Sequence, residues 1–440
     1  MSHSIIICLV SVAAIAGVIL RPFRLPEAIW AVAGALLLVI LRTIVPRDAL
    51  SGVAKGTDVY LFLLGMMVLA EVAREEKLFD WLALQAVRHA GDSPQRLFGL
   101  IYLVGIAVTV LLSNDATAVV LTPAVAAAVK AAKVTRPLPY LLICAFIANA
   151  ASFVLPISNP ANLVIYGSQM PALLEWLPRY ILPSVLSIVV TYLLLYRTQR
   201  KALGLLARDP RAEPSPSTGL LASPSSHNAS LLVSAAPSRV LSPNGRIAAM
   251  GLGVTAIVLL TASALDWQLG LPTAITGILT ATLVLIKAKK NPLIILRGIS
   301  WSVLPLVAGL FVIVEAINKT GVVRAISALL QQTAARSPAR AAWASGIGVA
   351  FFSNLANNLP SGLIASDVVR NAHVPEIIRN AILIGVDLGP NLSVTGSLAT
   401  ILWLVALRRE GQTVSAWNFF KLGLLIMTPA LIAALAALWW

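Results

Sequence analysis

Charged residues are scarce in this sequence: Asp, Glu, Lys and Arg make up 12% of its 440 residues, whereas 58% of the residues are hydrophobic. So many apolar residues need a low-dielectric partner other than a soluble core, which indicates a protein with many membrane-spanning segments. The formal net charge of +15 would suggest a nucleic-acid partner in a soluble domain. Because the basic residues lie between the apolar runs, we interpret them as topology signals and predict no nucleic-acid partner.

Cysteine and histidine are also scarce. The two cysteines, Cys8 and Cys144, fall in separate apolar runs, which does not favour a disulfide. The four histidines form neither an HExxH motif nor a Cys/His cluster, and the sequence contains no GxxxxGK[ST] motif for ATP. We therefore predict no metal site, no cofactor and no catalytic residues, because neither a metal motif nor a nucleophile with a suitable base supports an intramembrane enzyme.

Apolar runs of about 17 to 25 residues predict ten membrane crossings. The first is interpreted as a retained span rather than a signal peptide, because Arg21 and Arg24 follow it and no A-x-A site closes it. Two of the runs, 138–168 and 375–407, are too long for one straight helix and contain Pro and Gly at mid-length, so they predict discontinuous helices. The ten runs lie near 5–20, 26–41, 57–73, 138–168, 178–196, 246–263, 271–287, 301–317, 375–407 and 418–438.

Two further apolar stretches, 97–129 and 338–370, are each interrupted by a polar turn. The turns are Leu112–Thr117 (LSNDAT) and Ser353–Pro360 (SNLANNLP). Arms of about 15 residues are nearer to a re-entrant hairpin than to two full spans, and a pair of ordinary short spans stays the alternative. Polar interruptions at membrane depth are tolerated only where they face protein or a water-filled cavity, so the turns predict a transport site.

A segment rich in Ser, Pro and Asn, residues 197–245, divides the chain and cannot bury a core, so we predict a disordered linker there. The flanking parts, 1–196 and 246–440, each contain five predicted crossings and one hairpin. An odd number of crossings inverts the second part relative to the first, which predicts two inverted-topology repeats in an all-α polytopic membrane protein. In each part an amphipathic segment, around 77–90 and 320–334, precedes the hairpin and is expected at the membrane interface.

The two parts keep traces of likeness. Gly65 precedes Glu71 by six positions, as Gly309 precedes Glu315, and the two pairs are 244 positions apart. At an offset of 243, Asn114-Asp115 falls on Asn357-Asn358. Most of the 33 Lys and Arg residues fall on one side of the predicted topology. By the positive-inside rule that side, including the linker, is cytoplasmic and both termini face outward.

Few ionisable side chains fall at membrane depth, where they are costly and by default functional. Asp115, at the first polar turn, and Asp387, just before the second break, are the predicted sites of proton exchange. Each has an alternative role as a helix cap. Glu71 and Glu315 are weaker candidates, because ordinary solvated charges at the ends of the spans would account for them.

The remaining polar residues of the turns and breaks are uncharged, and no Lys or Arg accompanies them. A site for a dicarboxylate or a phosphate would usually supply a cation, so this lining suits a small neutral polyhydroxy solute or a cation better. Capping of freed backbone groups is the alternative for each residue taken singly. The predicted substrate-binding residues are Asn114, Asp115, Thr117, Ser158, Asn159, Asn162, Asn357, Asn358, Asn391, Ser393, Thr395 and Ser397.

Four motifs from both parts of the chain resemble the arsenite/antimonite efflux permeases, or arsenical pump membrane proteins, of the ion transporter superfamily. The motifs are Leu111–Pro123 (LLSNDATAVVLTP), Phe146–Leu163 (FIANAASFVLPISNPANL), Ser353–Pro360 (SNLANNLP) and Asp387–Leu404 (DLGPNLSVTGSLATILWL). The resemblance implies a scaffold part and a transport part, with substrate held between hairpin tips and broken helices.

The same resemblance implies export of arsenite and antimonite across the bacterial inner membrane, driven by protons and in some systems assisted by a cytoplasmic ATPase. In one departure, several members of the family carry an aspartate where this chain has Asn149, which shifts proton exchange to Asp115 and Asp387. Sodium/proton antiport stays an alternative, because related antiporters share the Ser-Asn-Asp turn. A channel subunit of an ATP-driven arsenite pump is another.

Trivalent arsenic near neutral pH is a neutral trihydroxide, and Asn, Ser and Thr side chains suit its hydroxyl groups. Thiolate capture needs cysteines that gather, whereas this chain has one mid-span cysteine, Cys144. We therefore expect recognition of the hydroxyl groups rather than arsenic–sulfur binding.

Overall fold

The regular elements of this chain are helices. The computed structural model describes residues 3–91, 93–204 and 240–440, and these ranges contain no strand. Helices are what a lipid-embedded chain must form, because each backbone N–H and C=O group then finds a partner within its own segment.

The helices of the first part are α1 (His3–Leu20), α2 (Glu27–Ile40), α3 (Pro46–Lys55), α4 (Thr57–Glu75), α5 (Leu78–Ala90), α6 (Pro94–Leu111), α7 (Asn114–Ala116), α8 (Thr122–Ala131), α9 (Leu138–Ala150), α10 (Pro160–Tyr166) and α11 (Leu173–Gly204). Those of the second part are α12 (Pro243–Ala264), α13 (Gly270–Ala288), α14 (Leu293–Gly298), α15 (Val303–Lys319), α16 (Val322–Arg336), α17 (Pro338–Ala356), α18 (Asn358–Ala372), α19 (Glu376–Leu388), α20 (Leu398–Arg409) and α21 (Ala416–Ala436). Short 3₁₀ turns lie at Pro22–Arg24, Pro156–Ser158, Gly167–Gln169, Gly389–Leu392 and Ala437–Trp439.

Six of the described helices are long and apolar enough to cross a membrane, as judged by length and composition. The number rises to eight if each of two bent pairs, α3 with α4 (48°) and α15 with α16 (72°), forms one span. The chain is therefore a multi-pass membrane protein, and the count of ten crossings stays a prediction. Part of that count rests on shorter apolar helices such as α2 and α9.

The two predicted discontinuous helices are confirmed. In the first, α9 ends at Ala150 and the chain resumes as a helix only at Pro160. In the second, α19 ends at Leu388 and α20 begins at Leu398. All residues of α10 and all but one residue of α9 are buried, so the first broken helix runs through the core of the fold.

The predicted linker lies mostly outside the described residues, which omit 205–239. At its borders the structure differs from the predicted bounds, 197 and 245. Helix α11 continues to Gly204 and α12 begins at Pro243, where Ser242 accepts a hydrogen bond from the Gly245 amide. The division into parts 1–196 and 246–440 stays a prediction.

Helices of the two parts pair in a reciprocal pattern. Helix α4 packs on α13, and its counterpart α15 packs on α2. A Cβ atom added to Gly65 would lie 2.3 Å from the Thr273 carbonyl oxygen, and one added to Gly309 would lie 2.7 Å from the Ala31 backbone. The glycines at the offset of 244 therefore serve the same purpose, which is close backbone approach to the partner helix.

The two hairpins begin with the same short sequence motif. Ser93-Pro94-Gln95-Arg96 recurs 244 positions later as Ser337-Pro338-Ala339-Arg340. In each, the serine hydroxyl oxygen accepts a hydrogen bond from the arginine amide at 3.3 Å, and proline occupies the first helical position. This is an N-cap with proline just inside the helix, so the two hairpins begin by the same physical device.

Candidate substrate site between the hairpin tips and the broken helices

The first polar turn is capped by its own side chains. The Ser113 hydroxyl oxygen accepts from the Ala116 amide at 3.2 Å, and Asn114 Oδ1 accepts from the Asp115 amide at 2.9 Å. The Thr117 hydroxyl lies 2.8 Å from that of Thr109 and joins the two arms. Three of the four polar side chains of the turn therefore hold its geometry, whereas the Asp115 carboxylate makes none of these contacts.

The arm that follows widens into a π-helical stretch over Thr117–Leu121. Pro123 follows it closely and has no N–H with which to continue the regular ladder. The Thr122 hydroxyl instead donates to the Thr117 carbonyl oxygen at 3.4 Å. Such π-bulges inside helices often occur at functional sites.

Two cavities, of about 330 Å³ and about 610 Å³, lie at opposite ends of the long helix α4. The larger, of about 610 Å³, is lined by Ser113 and Asp115 from the first turn and by Pro160 at the start of α10. The C-terminal half of α4 and the start of α15 form the facing wall, and Arg409 and Glu410 lie at the end of α20. Of the two predicted proton-exchange residues, Asp115 is the one that lines this larger cavity.

The smaller cavity, of about 330 Å³, lies at the opposite end of α4, where Asp58 is found. Helix α10 contributes Leu163 and Val164, helix α15 contributes Glu315, and helix α18 contributes Asp367. We call the larger space the inner cavity and the smaller one the outer cavity. In both, helices α4 and α15 form one wall, and hairpin arms and α10 form the other.

The second arm of the first broken helix, α10, passes from one cavity to the other within a few residues. Pro160 lines the inner cavity, whereas Leu163, three residues later, lines the outer one. Three residues span about 4.5 Å along a helix axis. The lining residues of the two cavities are therefore about one helical turn apart along α10, and the Leu163 side chain at this point is buried, with 2% of its surface exposed.

The residues of the first break brace the backbone around them. Ser158 Oγ donates to the Val110 carbonyl oxygen of the first hairpin at 3.1 Å. Asn159 Oδ1 accepts from the Ala161 amide and so caps α10, and Asn162 Nδ2 donates to the Ser152 carbonyl oxygen at 2.9 Å. The Oδ1 atom of Asn162 is buried without a hydrogen-bond partner among the described residues.

Asp387 is fully buried between the two broken helices and does not line either cavity. Its carboxylate accepts hydrogen bonds from Asn159 Nδ2 and from Ser152 Oγ, both at 2.9 Å. Asn149 and Asp387 take equivalent positions in the first arms of the two broken helices, 238 positions apart, and Asn162 and Thr400 do so in the second arms.

Each first arm contacts the second arm of the other broken helix. Asn149 Nδ2 donates to Thr400 Oγ1 at 3.3 Å, and Asp387 accepts from Asn159.

Asn391 and Ser397 belong to the same buried network. Asn391 Oδ1 accepts from Asn149 Nδ2 at 3.0 Å, and Asn391 Nδ2 donates to the Phe146 carbonyl oxygen at 3.0 Å. Ser397 caps α20 by accepting from the Thr400 amide. These side chains satisfy backbone groups that the breaks leave open, as the capping alternative requires.

The second polar turn packs on the second break. Asn357 combines a φ of +70° with a ψ of 155°, a strained backbone conformation that residues other than glycine rarely adopt, and its Oδ1 accepts from the Leu359 amide. The Asn358 amide donates to the Gly396 carbonyl oxygen at 3.0 Å, whereas Asn358 Oδ1 is buried without a described partner. Ser393 donates to Asn354 Oδ1 at 2.7 Å, and Thr395 donates to the Asn354 carbonyl oxygen at 3.3 Å.

The predicted site residues therefore form three groups rather than one. Asp115 faces the inner cavity, with Asn114 and Thr117 behind it. A second group lies buried in the two breaks: Asn159 donates to the Asp387 carboxylate, and Ser158, Asn162, Asn391 and Ser397 bond neighbouring groups of the breaks and the first hairpin. Asn357, Asn358, Ser393 and Thr395 join the second turn to the second break. Three further residues of the four motifs, Asn354, Ser152 and Thr400, also bond to these groups.

Glu71 and Glu315 are ion-paired near the inner and the outer cavity, respectively. Arg74 Nε donates to Glu71 Oε2 at 2.8 Å, and Lys55 Nζ donates to Glu315 Oε2 at 2.6 Å. These partners are half-exposed, so the pairs agree with the interpretation of both residues as charges at span ends rather than as coupling sites.

Comparison with known proteins gives consistent results. A family model described as "Citrate transporter" (CitMHS) matches residues 12–387. The arsenical pump membrane protein of Escherichia coli K12 is 27% identical over 386 residues, which cover 85% of this chain and 84% of that protein. The Yersinia enterocolitica protein of the same name gives the same figures. An uncharacterized transporter of Mycobacterium tuberculosis H37Rv, Rv2685, is 24% identical over 393 residues, 87% of this chain and 86% of that protein.

Two solved structures share the fold. The Alcanivorax borkumensis YdaH transporter matches 89% of this chain and 86% of its own, with a TM-score of 0.54 and 14% identity. Neisseria gonorrhoeae MtrF, of a class of antimetabolite efflux pumps, matches 92% of this chain and 83% of its own, with a TM-score of 0.53 and 14% identity. Both are membrane transporters. The arsenical pump relatives and the family match, which cover most of the chain, confirm the resemblance predicted from the four motifs.

Proposed function

We propose, on the premise that this chain belongs to the citrate transporter family, that it exports arsenite and antimonite from the cytoplasm in exchange for protons, by alternating access. Membership of this family makes the chain a membrane transporter and not an enzyme. Arsenical substrates are named for the E. coli and Y. enterocolitica relatives. The identity of the solute and of the coupling ion in this chain is our proposal.

The observation that carries the proposal is the position of Asp115. It is a carboxylate at a helix-hairpin tip, on the wall of an inner cavity of about 610 Å³. An ionisable side chain at membrane depth is costly, and it persists where it takes part in a proton or ion pathway. Because Asn114 and Ser113 already cap the turn, Asp115 is not needed as its cap.

The orientation predicted from Lys and Arg places the mouth of the inner cavity, with Arg74 and Arg409, on the cytoplasmic side. In that orientation the larger of the two cavities, which Asp115 lines, is the one on the cytoplasmic side. The outer cavity is the counterpart from which solute would leave, and the part of α10 around Leu163 would have to rearrange between the two states. Loading from inside is the order that export requires.

The buried polar groups support a neutral solute rich in hydroxyl groups. Asn358 Oδ1 and Asn149 Oδ1 are acceptors without described donors. An unpaired buried acceptor is costly, and an O–H group of a bound trihydroxide would relieve that cost. Asn149 and Asn358 line neither cavity in the described conformation, and neither does Cys144, so these acceptors would meet the solute in another state of the transport cycle.

Citrate is a second candidate, favoured by the description of the family and by Arg409 on the wall of the inner cavity. A tricarboxylate would need cations deep in the site, since isolated buried charge is costly. Arg409 is exposed beside Glu410, Arg74 is ion-paired with Glu71, and Asp115 faces the cavity without an ion-pair partner among the described residues. This distribution favours the neutral solute.

The test is a transport assay with the purified full chain in liposomes under an imposed pH gradient. Arsenite, antimonite, citrate and sodium are compared in parallel, with protein-free liposomes as the blank. The proposal expects accumulation of arsenite and antimonite together with proton movement, and no response to sodium.

Other results of the same assay would favour other functions. A sodium-dependent pH signal without arsenite transport would establish sodium/proton antiport, and accumulation of citrate alone would establish the second candidate. Transport that appears only with an added ATPase would assign the chain to a pump as its channel subunit.

A further inference from the structure

A groove on the outer surface of the helices lies apart from both cavities. It runs between α6 and α11 and has a volume of about 830 Å³. Leu100, Leu103 and Ile106 of α6 and Ile188 and Val189 of α11 make its walls apolar. Leu103 is 60% exposed and Val189 is 44% exposed, as expected of side chains that face lipid rather than protein.

The groove has the length of one membrane leaflet. On α6 its lining extends from Gln95 to Ile106, a distance of about 16 Å along the helix axis. Half of the hydrocarbon core of a bilayer is about 15 Å thick. The groove therefore begins where α6 enters the membrane and ends near the midplane, which matches one acyl chain.

The end of the groove near the membrane surface is basic. His89 and Arg96 line it there, and both are exposed. Helix α11 runs antiparallel to α6, since Tyr102 Oη donates to the Ile188 carbonyl oxygen and Phe98 contacts Tyr196. Its continuation beyond Tyr196 carries Arg197 and Arg200 at the same end of the helix pair, where the charge count places the cytoplasm.

A glycine keeps the groove open at the level of its tyrosines. A Cβ atom added to Gly99 would meet only the Tyr192 hydroxyl oxygen, at 3.4 Å, so no close backbone contact requires glycine here. Glycine in a helix interior costs about 1 kcal/mol relative to alanine. The Tyr102 and Tyr192 rings, with centroids 5.0 Å apart, form the floor next to this gap.

We propose that the groove between α6 and α11 binds one anionic phospholipid of the cytoplasmic leaflet. The phosphate of its headgroup lies at Arg96 and an acyl chain lies along Gly99 and the two tyrosines. Basic pockets between membrane helices on the cytoplasmic side suit anionic headgroups, and a zwitterionic lipid would leave the basic end uncompensated. This site is separate from the proposed solute pathway and does not depend on which solute is carried.

The second hairpin offers a matched control. Arg340 stands 244 positions after Arg96, in the same Ser-Pro-x-Arg cap, and is also exposed. Helix α17, which carries Arg340, does not line the groove. The Arg340→Gln variant therefore removes the same charge from the equivalent cap without touching the proposed lipid site.

The experiment is native mass spectrometry of the purified full chain titrated with phosphatidylglycerol or phosphatidylcholine. The wild-type chain and Arg340→Gln should retain one phosphatidylglycerol in preference to phosphatidylcholine. Arg96→Gln should weaken phosphatidylglycerol binding about fivefold. Gly99→Leu, which fills the groove, should abolish retention of the bound lipid.

Two results would overturn the proposal. One is equal retention of phosphatidylglycerol by the wild-type chain, Arg96→Gln and Gly99→Leu. The other is a wild-type dimer, free of lipid, that Gly99→Leu converts to a monomer, since the groove would then be an interface between two copies of the chain. A circular dichroism melt of each variant verifies that the change in lipid binding does not come from loss of the fold.

Discussion

Asn159 Nδ2 lies 2.9 Å from Asp387 Oδ1 and donates a hydrogen bond to it. Asn159 caps the second arm of the first broken helix, and Asp387 lies in the last turn of the first arm of the second. The two residues are 228 positions apart in sequence. One side-chain contact thus joins the two breaks at the centre of the fold, and it gives Asp387 a structural role in addition to the proton exchange predicted for it.

Asp387→Ala should destabilise the protein. Asn159 Nδ2 would lose the oxygen that accepts its hydrogen bond, and a buried donor left without an acceptor costs about 1–3 kcal/mol. Asp387→Asn is the matched variant, because its side-chain oxygen can still accept from Asn159 and its amide can donate to the Ser152 hydroxyl oxygen, so thermal stability in detergent should stay near that of the wild type. If transport is low in the stable Asp387→Asn variant, the carboxylate is needed at position 387 itself. Wild-type stability of Asp387→Ala would refute the structural role.

Asp115→Asn should lower proton-driven arsenite uptake into inverted vesicles by about tenfold or more, because an amide cannot exchange a proton at the cavity wall. Its fold should persist, since the turn is capped by Ser113 and Asn114. Glu410→Gln is the control, because Glu410 also lines the inner cavity but lies exposed near its mouth. Equal uptake by Asp115→Asn and wild type would remove Asp115 from the coupling pathway.

Leu163→Ala should make the protein leaky. Leu163 is a buried side chain where α10 passes from one cavity to the other within about one helical turn, so its truncation should let water and protons pass between the cavities in the absence of solute. The measurement is decay of an imposed pH gradient in liposomes, followed with an internal dye. Leu402→Ala, on the wall of the inner cavity only, should leave the decay unchanged. The same slow decay in both variants would place the barrier elsewhere.

Gly65→Ala should destabilise the protein by about 1–3 kcal/mol, because its Cβ atom would lie 2.3 Å from the Thr273 carbonyl oxygen and the helices would have to separate. Gly253 is also helical, yet an added Cβ atom there meets no atom within 4 Å. Gly253→Ala should therefore be neutral or stabilising by up to about 1 kcal/mol. Thermal melts of the two variants in detergent make the comparison, and equal melting temperatures would contradict the close-packing role of Gly65.

Replacing both cysteines, as Cys8→Ser/Cys144→Ala, should leave arsenite transport within about twofold of wild type, since recognition is assigned to oxygen and nitrogen groups rather than to thiolates. Both cysteines are free, and Cys144 is fully buried. Uptake by the double variant is measured in the same liposome assay. Loss of arsenite transport in a stably folded double variant would show that a thiol takes part.

Much of the site could be located from sequence, and its arrangement could not. The turn at Asp115, the break before Asn159 and the break after Asp387 follow from Pro, Gly, Asn and Ser inside apolar runs. What could not be predicted is that Asp115 faces a cavity while Asp387 is enclosed. Both are single carboxylates in polar interruptions, and they differ only in the helices that pack around them. The recurring Ser-Pro-x-Arg cap at Ser93 and Ser337 was readable in the sequence and would have strengthened the repeat prediction.

The sequence by itself determined the helices, their breaks and the membrane environment, because hydropathy and backbone hydrogen bonding act locally and lipid admits few other structures. Only the tertiary structure decided which polar groups meet. The contacts of Asp387 with Asn159, of Asn149 with Thr400 and of Gly65 with Thr273 join residues more than 200 positions apart. Such contacts depend on how the two parts of the chain pack against each other, which no local pattern specifies.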